Sequence, residues 1–254
     1  MSALDDEIHR QSREAGATAR EFVQQVDTVL SCVPEPLEHL VAPVTRSLQA
    51  VALGVDELLG LCGKLHDECG DEDRLREVGL DWVARVGDAT KRIADDIAPE
   101  RFRSPVEWTG RAARAYQLSV PPQVAGLNAV SDIANQMRSS LNTLANAVEA
   151  FKMAMAFALA GFAVAAVAAL AGAMTVVGAA PATAAVATAI GVSLALLGAA
   201  IPAMRAHVNT VKSEQTQLQQ RIHDLGRTWA EPLTADMADA SVGDGDGSDW
   251  RPGP

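Results

Sequence analysis

Cys62, His66 and Cys69 stand at i, i+4 and i+7, so a helix places all three on one face. Zinc accepts such thiolate and imidazole ligands. No fourth ligand follows at a usual spacing, and both cysteines continue one apolar heptad stripe through Val51, Val55 and Leu58. Core packing is therefore the expectation, with no metal site. Cys62 and Cys69 would lie about 10.5 Å apart along the helix axis, beyond disulfide reach. Cys32, in a loop before Pro34, is the better candidate for an intermolecular bridge. Asp71-Glu72-Asp73 sits where a helix starts and reads as capping that complements the helix dipole. Asp5-Asp6-Glu7 and Asp95-Asp96 read as solvated faces. The Asp-Gly-Asp-Gly-Ser-Asp run at 244–249 lacks the closing Glu and the flanking helices of a calcium loop. No nucleophile elbow, phosphate loop or dinucleotide fingerprint occurs, and the five His are scattered. No catalytic residue, cofactor or enzymatic activity is expected.

The elements around these residues read as helices. The chain has 254 residues, 48% hydrophobic and only 4% aromatic, enough for a substantial core. Alternating Val/Ile/Thr runs are scarce, which favours an all-α protein over a sandwich or barrel. A net charge of −11 offers no basic stripe for phosphates, so nucleic acid is excluded as a partner. The acidic start, with no basic region before an apolar run, does not fit a secretory signal peptide.

Helix breakers and periodicity divide the chain into an N-terminal helix (1–33), a helical bundle (37–151) with a turn at 104–110, a hairpin (152–204), a returning helix (205–231) and a disordered acidic tail (240–254). Pro121-Pro122 is expected to break or kink its helix. Apolar steps of four and three run through three segments: Leu37, Val41, Val44, Leu48 to Leu65; Leu127, Val130, Ala134, Met137 to Phe151; and Met204, Val208, Val211 to Trp229. Such steps are the heptad signature of helices packed side by side. The expected architecture is an elongated antiparallel helical bundle with an Ala/Gly-rich hydrophobic hairpin at one end.

That hairpin contains no Asp, Glu, Lys or Arg from 153 to 204. The expected turn is at Pro181, between uncharged arms 153–179 and 182–204, with Lys152 and Arg205 at the same end and stalks 127–151 and 205–229 of matched length beyond them. Each arm is long enough to cross ~30 Å of hydrocarbon. Small residues recur every fourth place, as Ala165, Ala169 and Ala173 on one arm and Gly191, Ala195 and Ala199 on the other. Such stripes let helix backbones approach closely. The hairpin is thus expected to contact membrane lipid, or else to be covered by like subunits or a partner.

Trp108-Thr109-Gly110, followed by Ala112-Ala113-Arg114-Ala115-Tyr116 and Gln123, resembles the Trp-x-Gly superfamily of type VII (ESX) secretion substrates over about residues 72–151. Physically, a glycine two places after Trp permits a tight interhelical turn. The layout is similar to larger actinobacterial ESX proteins of the EspA/EspE kind. The resemblance implies a turn carrying Trp108, Gly110 and Tyr116, and export by the type VII system to the medium or cell envelope. The family's Tyr-x-x-x-Asp/Glu export signal is missing, because Val120 stands four places after Tyr116, the only Tyr. A small Trp-x-Gly partner that bears the signal is therefore implied. The layout of a helical base carrying an uncharged hairpin, by analogy with helical pore-forming toxins, leads to the expectation of a homo-oligomer that inserts into or permeabilises a membrane. The alternatives are a non-exported two-span membrane protein and a soluble interaction module.

Overall fold

The computed structural model describes residues 3–101, 108–109, 111–226 and 251–252. The protein is all-α. Its helices are α1 (Ala3–Ser31), α2 (Glu38–Cys69), α3 (Glu72–Trp82), α4 (Asp88–Asp96), α5 (Arg111–Gly172) and α6 (Val176–Asp224). A single π turn, Val83–Gly87, joins α3 to α4. Antiparallel pairing of Trp108–Thr109 with Arg251–Pro252 is the extended structure among the described residues. It ties down two positions of the tail expected to be disordered, whose other residues lie outside the described ones.

The chain forms two compact units that share the two longest helices. The first comprises residues 1–73 and 144–209, the second 74–143 and 210–254. This grouping differs from the sequence expectation, because α2 joins the hairpin rather than the Trp-x-Gly region.

In the first unit four helical segments share one core. Ala15, Ala19, Phe22 and Val26 of α1 meet Leu48, Val51, Val55 and Leu58 of α2. The hairpin adds Met155, Leu159, Phe162 and Ala166 from α5, and Val186, Ile190 and Leu197 from α6. The α2 residues are those that the heptad spacing picked out, because burial of one stripe per helix is what a bundle requires. Cys62 lies in this core. Gly54 meets Ile190, to which an added β-carbon would come within 3.2 Å, so α2 and α6 pack closely there.

In the second unit α3 and α4 pack on the first half of α5. A β-carbon on Gly87 would lie 3.3 Å from the Ala134 β-carbon, and one on Gly79 would lie 3.4 Å from the Arg138 α-carbon. Lys91 donates to Asn128 Oδ1 at 3.1 Å. Among the described residues of the returning segment Leu218 is buried, and Ile222 and Leu225 are exposed.

Two breaks expected from proline are absent. Helix α5 runs through Pro121 and Pro122. The two lost N–H donors leave only the Gln117 and Leu118 carbonyls without helix partners, and Leu118 lies in water. The long helical run that follows supplies the cooperativity to carry the segment. Pro181 likewise lies inside α6 rather than at the hairpin turn. It deprives only the Val177 carbonyl, on a residue 88% exposed where water serves as partner.

Candidate functional site: the uncharged hairpin and its foot

The turn is built from Ala173, Met174 and Thr175. The Ala173 N–H donates to the carbonyls of Ala169 and Leu170 as α5 ends. Thr175 then caps α6, its Oγ1 accepting from the Gly178 N–H at 3.0 Å. A β-carbon on Gly178 would collide with the Gly172 carbonyl oxygen, so only glycine fits this reversal. A sequence signal for it existed: Thr followed three places later by Gly, midway through the uncharged stretch.

Moving the turn shortens the first arm and lengthens the second relative to the expected 153–179 and 182–204. Uncharged helix extends over 153–172 on one side and 176–204 on the other. The first arm is ~30 Å long and the second ~44 Å, at 1.5 Å per residue. Lys152 and Arg205, expected at the same end of the hairpin, therefore stand at different distances from the turn. Across the hairpin, the buried Ser193 hydroxyl donates to the Ala158 carbonyl at 2.9 Å and fixes the register.

The small-residue stripes divide between the arms. On the first arm, Ala169 of α5 and Ala173 at the start of the turn are buried, and Ala165 is half-buried. On α6, Gly191, Ala195 and Ala199 are exposed, and a β-carbon on Gly191 would meet nothing within 4 Å. The face that α6 turns inward is Ala182, Val186, Ile190, Ser193 and Leu197. The second stripe is thus not an internal packing seam: Ile and Leu fill the space between α6 and the core, where a small-residue stripe would leave voids.

Outside that core the hairpin remains apolar. Phe157, Val164, Val167, Met174, Val177 and Val192 are all exposed. Both helices are long and apolar enough to cross a membrane, and their most apolar windows are only 33% and 22% buried within the chain. An exposed apolar surface of this kind marks an interaction site on a soluble protein.

At the foot of the hairpin lies a group of ions that the sequence did not reveal. Lys152 is 1% exposed, Asp5 5% and Glu72 3%. The Lys152 ammonium donates to Glu72 Oε2 at 2.6 Å and stands 2.6 Å from Asp5 Oδ1. Burial acts to lower the Lys152 pKa, but the hydrogen bonds and charges of the two carboxylates outweigh it and leave it above the usual lysine value. His66 Nδ1 is 3.8 Å from Asp5 Oδ1, and the His9 ring meets the His66 ring edge-on with centroids 4.6 Å apart. Asp5 is thus no solvated residue, and Glu72 does more than complement a helix dipole. Lys152 is clasped by protein rather than presented as a flank in water.

Cys62 is buried in the core with its thiol pushed up to about 11 by burial. The Cys69 thiol is also raised, by burial first. No set of three His, Cys, Asp or Glu placed to hold a metal ion occurs among the described residues. Trp108 and Thr109 form the short strand before α5, Tyr116 lies in the second turn of α5, and Gly110 falls outside the described residues.

These features define an all-helical protein whose long antiparallel helices carry an exposed apolar hairpin. Residues 67–193, half of the chain, match the WXG100-like domain family, and the protein belongs to that family. The match extends beyond the Trp-x-Gly segment and well into the hairpin. Membership associates the protein with type VII secretion, in a family of helical proteins rather than enzymes. Neither a curated protein nor a solved structure matches the chain.

Proposed function

We propose that this is a non-enzymatic type VII secretion-associated protein that leaves the cell with a partner and acts at a membrane through residues 153–204. The observation that carries this reading is the outer face of the hairpin: it holds no ion, and its exposed residues include Phe157, Val164, Val167 and Val192. A surface of this composition is stable in lipid and costly in water. Insertion from the turn end would drag no charged side chain through the bilayer. A small Trp-x-Gly partner, on this reading, bears the Tyr-x-x-x-Asp/Glu signal and is what the export machinery recognises; the absence of that pattern after Tyr116 supports the reading. On this reading the protein is an actinobacterial one, similar in layout to the EspA/EspE group, and like copies assemble through the exposed Gly191, Ala195 and Ala199 stripe into the permeabilising species.

Vesicle flotation and dye release with the purified full chain test the membrane step. The expected result is co-flotation with lipid and release of trapped dye; no binding to vesicles of any composition defeats it. Comparing culture medium and envelope from cells with and without a working type VII system tests export. Retention in the inner membrane in both strains defeats export and supports a two-span resident protein. A second reading, a soluble module with a protein partner over the hairpin, is favoured by the packing of the hairpin's inner face on α1 and α2. It predicts a stable soluble complex that never floats with lipid.

A further inference from the structure

Helix α1 lies along the hairpin like a strap. At one end Asp5 meets Lys152, at the foot. At the other, Gln25 Nε2 is 3.3 Å from the sulfur of Met174, in the turn. Between them Ala15, Ala19, Phe22 and Val26 are buried in the core shared with α2 and both hairpin arms. We propose that Asp5, Glu72 and Lys152 form an ionic lock that keeps α1 seated over the inner face of the hairpin and withholds that face from lipid. This rests on the membrane role proposed for the hairpin and adds its restraint.

Three observations support the lock. The first is its position: Lys152 is the last ion before the uncharged stretch, so the cluster ties the start of the hairpin to α1 and to the first residue of α3. The second is the uneven apolar grip of the strap: Phe22, Val26 and Leu30 anchor its far half, whereas the half nearer the cluster buries Ile8 and then only Ala15, Gly16 and Ala19, which contribute little area. The third is the character of a buried ion cluster. Complete, it adds little over an apolar core of the same volume. Broken by loss of one member, it leaves a buried charge uncompensated and opens. It therefore behaves as a catch more than as a brace. Groups facing it from the packed elements include His66 and Cys69 of α2, with His9 of α1 edge-on to His66.

The test uses the full chain, dye-loaded vesicles of phosphatidylglycerol and phosphatidylethanolamine, and hydrogen exchange read peptide by peptide. In Asp5→Asn, Glu72→Gln and Lys152→Met, the α1 amides are expected to exchange at least about tenfold faster, with residues 116–143 unchanged. Dye release at equal protein concentration rises about tenfold with them. The triple variant D5L/E72L/K152M replaces the cluster with apolar side chains and returns both measurements to wild-type values. This variant keeps the test decisive where a single variant does not fold. Unchanged α1 exchange in the single variants overturns the lock. So does a triple variant that exchanges and leaks as the singles do. Freed α1 with dye release equal to that of an active wild type overturns the restraint and leaves the membrane role standing. Freed α1 with no lipid binding by any variant or by wild type removes the membrane role, and the restraint with it.

Discussion

One helix, α5, carries two segments of different chemistry. Over 116–143 it is amphipathic in the ordinary way: Ala134 and Ser140 are buried, while Asp132, Asn135 and Arg138 face water. Over 153–172 the buried side continues as Met155, Leu159, Phe162 and Ala166, but the opposite side is Phe157, Val164 and Val167. The inward faces follow the same packing rules, and both segments are equally helical. The difference is confined to the face that intramolecular packing leaves free. Packing explains why the second segment folds, and it does not explain why its outer face lacks ions. That face is where the two segments part in function.

The contrast is sharpest in stability. Phe162→Ala removes a fully buried ring and is expected to cost about 3–5 kcal/mol, whereas Phe157→Ala on the outer face of the same segment changes stability by less than about 0.5 kcal/mol. Denaturant melts of the two variants check this, and equal losses would mean that both faces are packed. The next largest effect is on membrane action. Val164→Glu, at a position 71% exposed, leaves the fold intact but places a carboxylate in the apolar face. At a bilayer centre that costs at least ~2.5 kcal/mol, enough to weaken vesicle binding by more than about 50-fold. Leu118→Glu, equally exposed on the other segment, leaves vesicle binding unchanged. Equal binding by the two variants would erase the distinction.

Between the segments lies Lys152, whose pKa is raised on folding. A raised folded pKa makes its contribution complete below the unfolded value near 10.5 and lost as pH climbs through the folded value. Melting temperature is therefore expected to hold steady from neutral pH to about 10 and to fall more steeply above 10.5 in wild type than in Lys152→Met. A smaller change separates two glycines. Gly161, on the hairpin, would place a β-carbon in open space, so Gly161→Ala gains about 0.5–1 kcal/mol. Gly87→Ala crowds Ala134 and lacks that gain, as thermal melts will show. The smallest effect is kinetic. Exposed Cys32 reacts with a thiol reagent at pH 8 at once, and Cys62, its thiol held near 11, reacts only as the first unit opens. Simultaneous labelling of both would show an open core around the hairpin.

Much of this was legible in one dimension. The α2 stripe through Leu48, Val51, Val55 and Leu58 and the α5 stripe through Ala134 and Val148 follow from steps of three and four, because burying one face of a helix leaves that trace in the order of residues. The ion-free run from 153 to 204 is likewise a property of the chain itself. The position of the turn was legible too, in Thr175 and Gly178, but Pro181 is the stronger breaker by residue type. Its place in the first turns of α6, where a missing N–H costs little, is a fact of the folded chain.

An all-α protein, its heptad faces, its Trp-x-Gly segment and a hairpin without charge can all be read from the order of residues. Tertiary structure alone decided which face of each hairpin arm is covered, that α1 lies along the hairpin, and that Lys152 meets Glu72 across 80 positions of chain. The physical reason is range. Helical periodicity arises between neighbours three and four places apart. The partner of a buried charge is selected by where distant helices come to rest, and an aspartate bound for water and one bound for the core carry the same letter.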